Sequence, residues 1–262
     1  MNQHRPRKRF GQNFLHDPGI IGRIVDTINP RPGEHLVEIG PGQGALTRGL
    51  LASGCRLDVV ELDRDLVPGL LQAHGDNSLF QVIEADALTV EFSALKTGDE
   101  MLRIVGNLPY NISTPLIFHL LEFADSIRDM HFMLQREVVQ RLAAEPGSKA
   151  WGKLGVMAQY HCDIDALFEV PPGAFNPPPK VMSGIVRLVP NGRRRDPGQE
   201  KRLRRVVSAA FSQRRKTLRN TLRDLVDVQQ LEELGISPTA RAETLSLEQF
   251  IALGDTLGPD SE

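Results

Sequence analysis

The segment HLVEIGPGQGAL, residues 35–46, runs from a short apolar stretch into a loop that contains three glycines. The run HLVEI predicts a buried strand, and ALTRGLLAS (45–53) has the apolar spacing of a helix. Gly40, Gly42 and Gly44 allow the backbone to turn tightly and to approach a ligand closely at the start of that helix. Strand, glycine loop and helix in this order predict the opening unit of an α/β fold.

Short apolar runs and longer amphipathic segments continue to alternate along the chain. Further strands are predicted at 56–62, 79–85, 101–106 and 129–135, and helices at 64–74, 114–123 and 137–145, the first of these helices interrupted by Pro68. This rhythm predicts a mostly parallel, doubly wound, Rossmann-like sheet. Segments 167–170 and 183–189 could close the sheet as an edge pair, joined by a proline-rich stretch.

The pattern changes at PNGRRRDPG (190–198), where turn residues and charges replace it. After this segment, helical spacing is found at 199–211, 214–226, 228–235 and 246–257. We therefore expect an α/β domain of residues 1–189, which begins with a basic segment, and a small all-helical domain of residues 190–262.

The composition, with 40% hydrophobic and 24% charged residues, is typical of a globular protein. No apolar run approaches the roughly 18–20 residues of a membrane span, and the basic start lacks the apolar segment of a secretory signal. Cys55 and Cys162 form no paired motif, which predicts reduced thiols in a cytoplasmic protein. The seven histidines show no metal-ligand spacing, so we expect no metal site.

Charge is unevenly distributed, although the formal net charge is only −2. Residues 193–224 contain 12 Lys/Arg against three Asp/Glu, and residues 1–9 add four Lys/Arg without an acid. Such segregation indicates an anionic partner. The alternative is a basic helix face that is merely solvated.

Two acidic residues lie at the ends of the next two predicted strands. Glu61 comes 21 residues after Gly40, where an acid can hold the two hydroxyls of a ribose, and Asp86 can accept from an adenine amino group. The glycine spacing differs from the dinucleotide fingerprint, and no P-loop lysine follows. A ligand with an adenosine but without a pyrophosphate suits this crevice. The alternatives are a glycine turn without a ligand and, for Asp86, a helix N-cap.

The segment VGNLPYNIST (105–114) brings further chemistry to the same edge of the sheet. Because the N6 lone pair of adenine is delocalised into the ring, its methylation is favoured by hydrogen-bond acceptors placed off the ring plane. The Asn107 side-chain oxygen and the Leu108 carbonyl can be these acceptors, since Pro109 restricts the conformation of Leu108. Tyr110 can stack on the base. The alternative is a strand-ending turn whose tyrosine packs in the core.

Eight motifs occur in the order found in rRNA adenine dimethyltransferases. They are GQNFL (11–15), EIGPGQG (38–44), VELD (60–63), DAL (86–88), NLPYNIS (107–113), HFMLQREV (131–138), FNPPPKV (175–181) and FSQRRKTLRN (211–220). The chain resembles this family over essentially its whole length, and it is most similar to the bacterial small-subunit (16S) enzymes.

The resemblance implies a class I methyltransferase domain that uses S-adenosyl-L-methionine and leaves S-adenosyl-L-homocysteine. Such enzymes convert two adjacent adenosines in the 3′-terminal hairpin loop of 16S rRNA to N6,N6-dimethyladenosine. The implied partner is the 30S subunit or its late precursor, without membrane association. A monomeric enzyme with an added role in 30S biogenesis is also implied.

The same motifs imply roles for individual residues. Cofactor binding is implied for Asn13, Leu15, Gly40, Glu61, Asp86 and Asn107. The target adenosine is implied to lie against Asn107, Leu108, Pro109 and Tyr110, with its base between Tyr110 and Phe175. RNA phosphates are implied partners of Lys180 and of Arg214, Arg215, Lys216 and Arg219, which we expect on a helix. The alternative for FNPPPKV is a stiff linker.

Three other functions fit parts of the sequence. A 23S rRNA dimethyltransferase of the macrolide-resistance type shares the fold and most motifs, but FNPPPKV and FSQRRKTLRN favour the small-subunit enzyme. A non-catalytic ribosome-assembly or RNA-binding factor is disfavoured because the residues assigned to the cofactor and the target amine are all present. A DNA amino-methyltransferase leaves the basic helical domain unexplained.

Overall fold

The computed structural model describes residues 12–192 and 196–258, and the chain divides into two compact units. The first unit comprises the residues up to Val139 together with Ile164–Pro190. The second comprises Gln140–Asp163 together with the residues from Asn191 onward. The basic segment 1–9 and the three arginines at 193–195 lie outside the described residues.

A seven-stranded sheet forms the centre of the first unit. The described residues form nine strands, seven of which belong to this sheet. In chain order they are β1 (Phe14–Leu15), β2 (His35–Ile39), β3 (Arg56–Glu61), β4 (Phe80–Glu84), β5 (Leu102–Asn107), β6 (Ile127–Gln135), β7 (Cys162–Val170), β8 (Phe175–Asn176) and β9 (Ser183–Pro190). The sheet has the order β4-β3-β2-β5-β6-β9-β7, whereas β1 and β8 form a separate antiparallel pair. The pairings among β2 to β6 are parallel, and β9 pairs antiparallel with β6. The predicted mostly parallel, doubly wound α/β sheet is confirmed, and β9 and β7 are neighbours at one edge.

The helices of this α/β arrangement are α1 (Pro18–Ile28), α2 (Thr47–Ala52), α3 (Val67–His74), α4 (Ser113–Glu122) and α5 (Arg136–Leu142). Short 3-10 helices lie at Ala87–Thr89, Phe92–Leu95, Ala124–Ser126 and Pro172–Ala174. Pro68 is the second residue of α3, so the predicted interruption is wrong and the proline lies in the first turn of the helix. A proline suits this position because the first N–H groups of a helix have no partner within it.

The central strands are buried on both faces, which explains why they are nearly continuous apolar runs. All five residues of β2 are buried, and Leu36, Val59 and Ile104 are fully enclosed. α1 and α2 pack closely against each other, since a Cβ atom added at Gly49 would lie 2.8 Å from a methyl group of Val25. This core holds the strand ends, and the loops that leave them, in fixed positions.

The second unit is helical. It contains α6 (Lys153–His161), α7 (Pro197–Ala210), α8 (Leu218–Thr221), α9 (Val228–Glu233), a 3-10 helix (Ala242–Thr244) and α10 (Leu247–Asp255). α7 packs along α10, and α6 contacts both. The Trp151 indole N–H donates to the Leu245 carbonyl over 2.9 Å, and the Tyr160 hydroxyl donates to Gln199 Oε1 over 3.0 Å.

These contacts correct the predicted domain boundary. The division into 1–189 and 190–262 left Gln140–Asp163 in the first domain, but this segment belongs with the C-terminal helices. α6 was not predicted from the sequence. Six of its nine residues are buried, and a helix buried on most sides lacks the amphipathic pattern that reveals a surface helix.

The helix predicted over 214–226 is mostly replaced by turns. Within this range only α8 is helical, and three of the four basic residues expected on a helix are in turns, namely Arg214, Arg215 and Lys216. The Leu218 N–H donates to the Ala240 carbonyl over 2.8 Å, so the backbone bonds to another loop where a continuous helix would have bonded to itself. None of the described helices is long and apolar enough to cross a lipid bilayer.

Candidate active site

A cleft opens at the carboxyl ends of the parallel strands of the first unit. Its cavity of about 330 Å³ is within the range of small-molecule sites. The walls are formed by residues 12–15 and by the loops that follow β2, β3, β4 and β5. β2 lies between β3 and β5, so the chain adds strands to the sheet on both sides of β2. Doubly wound sheets bind ligands at the carboxyl ends of the strands, at the point where the strand order reverses in this way.

The loop after β2 has the conformation that its glycines predict. Gly40, Gly42 and Gly44 have φ angles of 67°, 58° and 80°, in the left-handed region that side chains disfavour. Gly106 needs to be a glycine for a different reason. A Cβ atom at this position would lie 2.5 Å from the Ile39 carbonyl oxygen. β5 therefore passes close to the end of β2.

Glu61 ends β3 and lines the cleft. It is only 6% exposed, and its carboxylate accepts from the N–H groups of Gly42 over 3.2 Å and Asp63 over 2.8 Å. Burial raises the pKa of Glu61, although both N–H donors favour the charged form. The carboxylate is thus held at the strand end, where ligand hydroxyl groups can donate to it.

Asp86 follows β4 and lines the same cleft. Its Oδ1 accepts from the Leu88 N–H over 3.0 Å and caps the 3-10 helix Ala87–Thr89. The N-cap alternative is therefore confirmed for this residue. The cap also fixes Asp86 at the place predicted for contact with a ligand.

The segment 12–15 covers one side of the cleft and is tied down at both ends. Asn13 and Leu15, which were predicted to contact a cofactor, line the cleft. Gln12 Nε2 donates to Asp63 Oδ2 over 2.8 Å, and the pairing of β1 with β8 holds the other end. Gln12 also lines the cleft and was not predicted from the sequence.

One contact defines the orientation of the Asn107 side chain at the end of β5. Asn107 Nδ2 donates to the Asn13 carbonyl oxygen over 3.2 Å. A carbonyl oxygen only accepts hydrogen bonds, so the amide nitrogen must face Asn13. Oδ1 therefore faces away from Asn13. Asn107 itself lines the cleft.

The loop after Asn107 also lines the cleft through Leu108, Pro109 and Tyr110. Its backbone is anchored, since the Leu108 N–H donates to the Met133 carbonyl over 3.2 Å. Tyr110 is half-buried, and burial raises the pKa of its phenol, which stays neutral at ordinary pH. The tyrosine is therefore part of the cleft wall, and the alternative of a tyrosine packed wholly in the core is wrong.

Glu38 is a cleft residue that was not predicted. It is buried on β2, and its Oε2 accepts from the Thr47 hydroxyl over 2.6 Å. Burial raises the pKa of Glu38 to about 7, the Thr47 hydrogen bond opposes this, and the nearby Glu61 carboxylate adds to it. The available signal in the sequence was an acid two residues before the first glycine of the loop.

The cleft combines acidic and apolar surface. Glu38, Glu61 and Asp86 line it, and none of the described residues that line it is a lysine, arginine or histidine. Leu62 also lines it and is 48% exposed, which leaves an apolar face for a ring. A cationic ligand that carries hydroxyl groups and an aromatic ring fits these walls.

The sequence matches the family model described as ribosomal RNA adenine dimethylase over residues 3–257. The chain belongs to the ribosomal RNA adenine dimethylase family. The curated ribosomal RNA small subunit methyltransferase A of Pseudomonas aeruginosa is 59% identical over 256 residues, which is 97% of this chain and 96% of that protein. Its namesake from Acinetobacter baylyi is 55% identical over 257 residues, covering 98% and 94%.

Solved structures show the same fold for this adenine dimethylase. The 23S rRNA methyltransferase ErmE aligns with a TM-score of 0.73 and 27% identity, over 94% of this chain and 99% of that chain. A dimethyladenosine transferase from Plasmodium falciparum aligns with a TM-score of 0.78 and 24% identity, over 92% and 95%, which is a likeness of fold. The Rossmann-like class I methyltransferase fold is confirmed.

The adenine dimethylase is an S-adenosylmethionine-dependent enzyme. The cleft fits this cofactor, because its described walls are acidic and contain no basic side chain, which suits the cationic sulfonium and amino groups. The cleft wall presents the Glu61 carboxylate and the exposed apolar side chain of Leu62. When bound, S-adenosylmethionine supplies a methyl group from its sulfonium.

Phe175 of the adenine dimethylase is not among the residues that line the cleft, and its place against the target base stays a prediction. It is 2% exposed and is paired with Leu15 between β8 and β1. Its ring belongs to the hydrophobic core with Val170, Ala174 and Ile185. An aromatic side chain fills this apolar environment well. The motif FNPPPKV alone does not distinguish a phenylalanine in the core from one that stacks on a base.

A basic recess of about 300 Å³ lies in the second unit of the adenine dimethylase. It is lined by Gly147, Ser148, Lys149, Arg214, Arg215, Arg241 and Glu243. The Arg214 guanidinium donates to the Lys149 carbonyl over 3.0 Å. The other residues predicted to bind RNA are exposed outside this recess, namely Lys216, Arg219 and Lys180. Lys149 and Arg241 were not predicted because they stand apart from the basic run in sequence.

Proposed function

We propose that this enzyme dimethylates N6 of two adjacent adenosines in the 3′-terminal hairpin loop of 16S rRNA, with the 30S subunit or its late precursor as substrate. The relatives named as small-subunit enzymes support this choice, because they are 59% and 55% identical over nearly the whole chain, against 27% for the 23S rRNA enzyme. The reaction then takes place in the cytoplasm, where ribosomes are assembled, and we expect a monomer.

The hydrogen bond from Asn107 to the Asn13 carbonyl is the observation that carries the chemical part of the proposal. It leaves Asn107 Oδ1 as the acceptor for one hydrogen of the target amine. Donation of that hydrogen out of the ring plane favours a tetrahedral nitrogen, whose lone pair is then available to accept the methyl group. No strong general base is needed, so alignment and electrostatic bias are the main contributions of the protein.

The next three residues complete the proposed target pocket. Pro109 keeps Leu108 out of the helical region, so the Leu108 carbonyl has a fixed direction and is proposed as the second acceptor. The Leu108 N–H bond to Met133 supports this, because it anchors the same peptide segment. Tyr110 is proposed to stack on one face of an adenine that has left its own stack.

The cofactor residues are assigned to the parts of S-adenosylmethionine that their chemistry suits. Glu61 is proposed to accept from the two ribose hydroxyls, and Asp86 from the adenine amino group. Gly40 has a left-handed conformation and no side chain. Its backbone is therefore accessible to the amino-acid part of S-adenosylmethionine. Asn13 and Leu15 are proposed to cover the bound cofactor.

RNA binding is proposed for the basic residues of both units. Arg214, Arg215, Lys149 and Arg241 surround the recess of the second unit, and Lys216, Arg219 and Lys180 are exposed cations outside it. Contacts of this kind fix the position of RNA phosphates without reading the sequence. The shape of the ribosomal surface would then select the target adenosines.

Methyl transfer to purified subunits tests the proposal. We expect 30S subunits that lack these methyl groups to accept labelled methyl from S-adenosylmethionine, and 50S subunits from the same cells to stay unlabelled. The two adenosines are then identified by mass spectrometry of the labelled rRNA. Label located in 23S rRNA would overturn the assignment in favour of the 23S enzyme.

A further inference from the structure

Ser183 closes the proline-rich segment that begins at Phe175, and it contacts the target pocket directly. Its hydroxyl oxygen lies 2.7 Å from the hydroxyl oxygen of Tyr110, and Ser183 itself is fully buried. The two residues are 73 positions apart in the chain. Since Phe175 is in the core, Ser183 is the member of this segment that touches the residues proposed to hold the adenine.

Ser183 has a rigid support. It is the first residue of β9 and lies opposite Gln135 in the antiparallel pairing of β9 with β6. The Met182 carbonyl just before it accepts from the Arg136 N–H over 2.9 Å. The next residue, Gly184, packs against Val139, to which an added Cβ atom would approach within 3.3 Å. The hydroxyl is therefore presented by the sheet and not by a loop.

Tyr110 is consequently held at both ends. Its carbonyl oxygen accepts from the Ser113 hydroxyl over 3.2 Å at the start of α4, and its phenol is bonded to Ser183. With the backbone and the far end of the ring both fixed, the two side-chain torsions of Tyr110 have little freedom. Burial raises the pKa of Tyr110, so the phenol is neutral at ordinary pH and can donate to the Ser183 hydroxyl or accept from it.

We propose that Ser183 is a positioning residue that holds the Tyr110 ring in the orientation in which it receives the target adenine. This inference rests on the proposed role of Tyr110 as the stacking surface. A ring that is oriented before the base arrives does not lose rotational freedom when the base binds, so that ordering cost is removed. Without the Ser183 hydroxyl, the ring would have to be ordered in each productive encounter.

Four variants test the role of Ser183: Ser183→Ala, Tyr110→Phe, their combination, and Tyr110→Ala. Ser183→Ala and Tyr110→Phe remove the same hydrogen bond from opposite sides, and Tyr110→Phe does so without altering the packing at β9. We expect each to lower kcat on undermethylated 30S subunits about 3- to 10-fold, the range expected from ordering one side chain. We expect the combination to lose no more than either single change.

A structural defect would give a different result. Ser183 does not line the cofactor cleft, so the Kd of S-adenosylmethionine measured by calorimetry should stay within twofold in Ser183→Ala. Ser183→Thr, which keeps a hydroxyl, should restore kcat. Ser126→Ala, a half-buried serine of the same unit away from the cleft, is the matched control and should leave kcat unchanged.

The outcomes separate this inference from the proposed function. Wild-type kcat in both Ser183→Ala and Tyr110→Phe, or losses that add in the combined variant, would refute the positioning role. If Tyr110→Ala still loses most turnover in that case, the stacking role of Tyr110 stands without Ser183. If Tyr110→Ala turns over like the wild type, the proposed role of Tyr110 fails, and the inference about Ser183 fails with it.

Discussion

Asn107 Nδ2 lies 3.2 Å from the carbonyl oxygen of Asn13, which ties the amide at the end of β5 to the segment that covers the cofactor cleft. The same segment contains Leu15 and is held by β8 and by the bond from Gln12 to Asp63. Displacement of this segment would open the cleft and release the Asn107 amide together. The segment that lines the cleft and the proposed acceptor for the target amine are therefore joined by a hydrogen bond.

The first prediction concerns Asn107→Ala. We expect this change to keep the Kd of S-adenosylmethionine within about tenfold, roughly 1.4 kcal/mol, because the other cleft walls remain. Methyl transfer to 30S subunits should fall by roughly 100-fold or more, since an oriented acceptor acts mainly in the transition state. Calorimetry and single-turnover labelling measure the two quantities separately.

A matched control for Asn107 is Gln72→Ala, which truncates an exposed amide side chain on α3 in the same unit. It should change neither quantity. Turnover of Asn107→Ala at the wild-type rate would remove Asn107 from its proposed role.

The second prediction concerns Glu61→Gln. The change keeps the shape of the side chain but removes its negative charge. That charge strengthens the hydrogen bonds from the Gly42 and Asp63 N–H groups and would strengthen those from the ribose hydroxyls. Hydrogen bonds to a charged group contribute about 1.5–3 kcal/mol, so we expect cofactor affinity to fall roughly 10- to 100-fold. Glu84→Gln, an exposed carboxylate paired with Arg64 at the end of β4, is the control. Equal affinities for the two variants would contradict the ribose assignment.

The third prediction concerns pH and Glu38. The folded-state pKa of about 7 is above the ordinary value of 4.5, so the folded protein holds this proton more tightly than the unfolded chain does. The resulting stabilisation is fully present below pH 4.5 and is lost as pH rises to about 7. At one pKa unit per 1.36 kcal/mol, the free energy of unfolding falls by about 3 kcal/mol across this window.

Glu38→Gln removes this titration while it keeps an acceptor for the Thr47 hydroxyl. Urea unfolding of the free enzyme should therefore show similar stability for wild type and variant near pH 4.5, and a more stable variant at pH 8. A difference between the two proteins that does not change with pH would show that Glu38 is not the titrating group.

The fourth prediction concerns the basic recess of the second unit. Arg215→Ala and Arg241→Ala should each weaken binding to 30S subunits, and each should reduce the slope of log K against log salt by about 1 if it contacts one phosphate. The kcat at saturating 30S should change little. Arg31→Ala, an exposed arginine of the first unit, should leave the slope unchanged. An unchanged slope in both recess variants would remove the recess from the RNA-binding surface.

The sequence predicted the strands and the cleft well because these features are local. β2, β3 and β5 are short apolar runs that end just before Gly40 or at Glu61 and Asn107, and the carboxyl ends of neighbouring parallel strands lie at one edge of the sheet. Gly40, Glu61 and Asn107 could therefore be placed together before the structure was known. Their hydrogen bonds could not, because Asn13 and Asn107 are 94 residues apart and nothing in either segment specifies the contact.

The features that sequence missed depend on tertiary packing. α6 carries no amphipathic pattern, because its surroundings bury most of it. The run at 214–216 has residues that favour helix, but the Leu218 N–H bonds to Ala240 and the chain turns. The burial of Phe175 in the core beside Leu15 was also not predicted. In each case the neighbour that decides the structure lies far away in the chain.

The helical unit is assembled from two stretches, Gln140–Asp163 and the residues after Asn191, with part of the sheet between them in sequence. A chimera that exchanged only the C-terminal stretch between two family members would pack α6 of one protein against α7 and α10 of the other. Recombination at a single junction therefore disrupts this unit, whereas a double crossover that moves both stretches preserves it. Such a unit is expected to diversify by point substitution and not by shuffling of terminal modules.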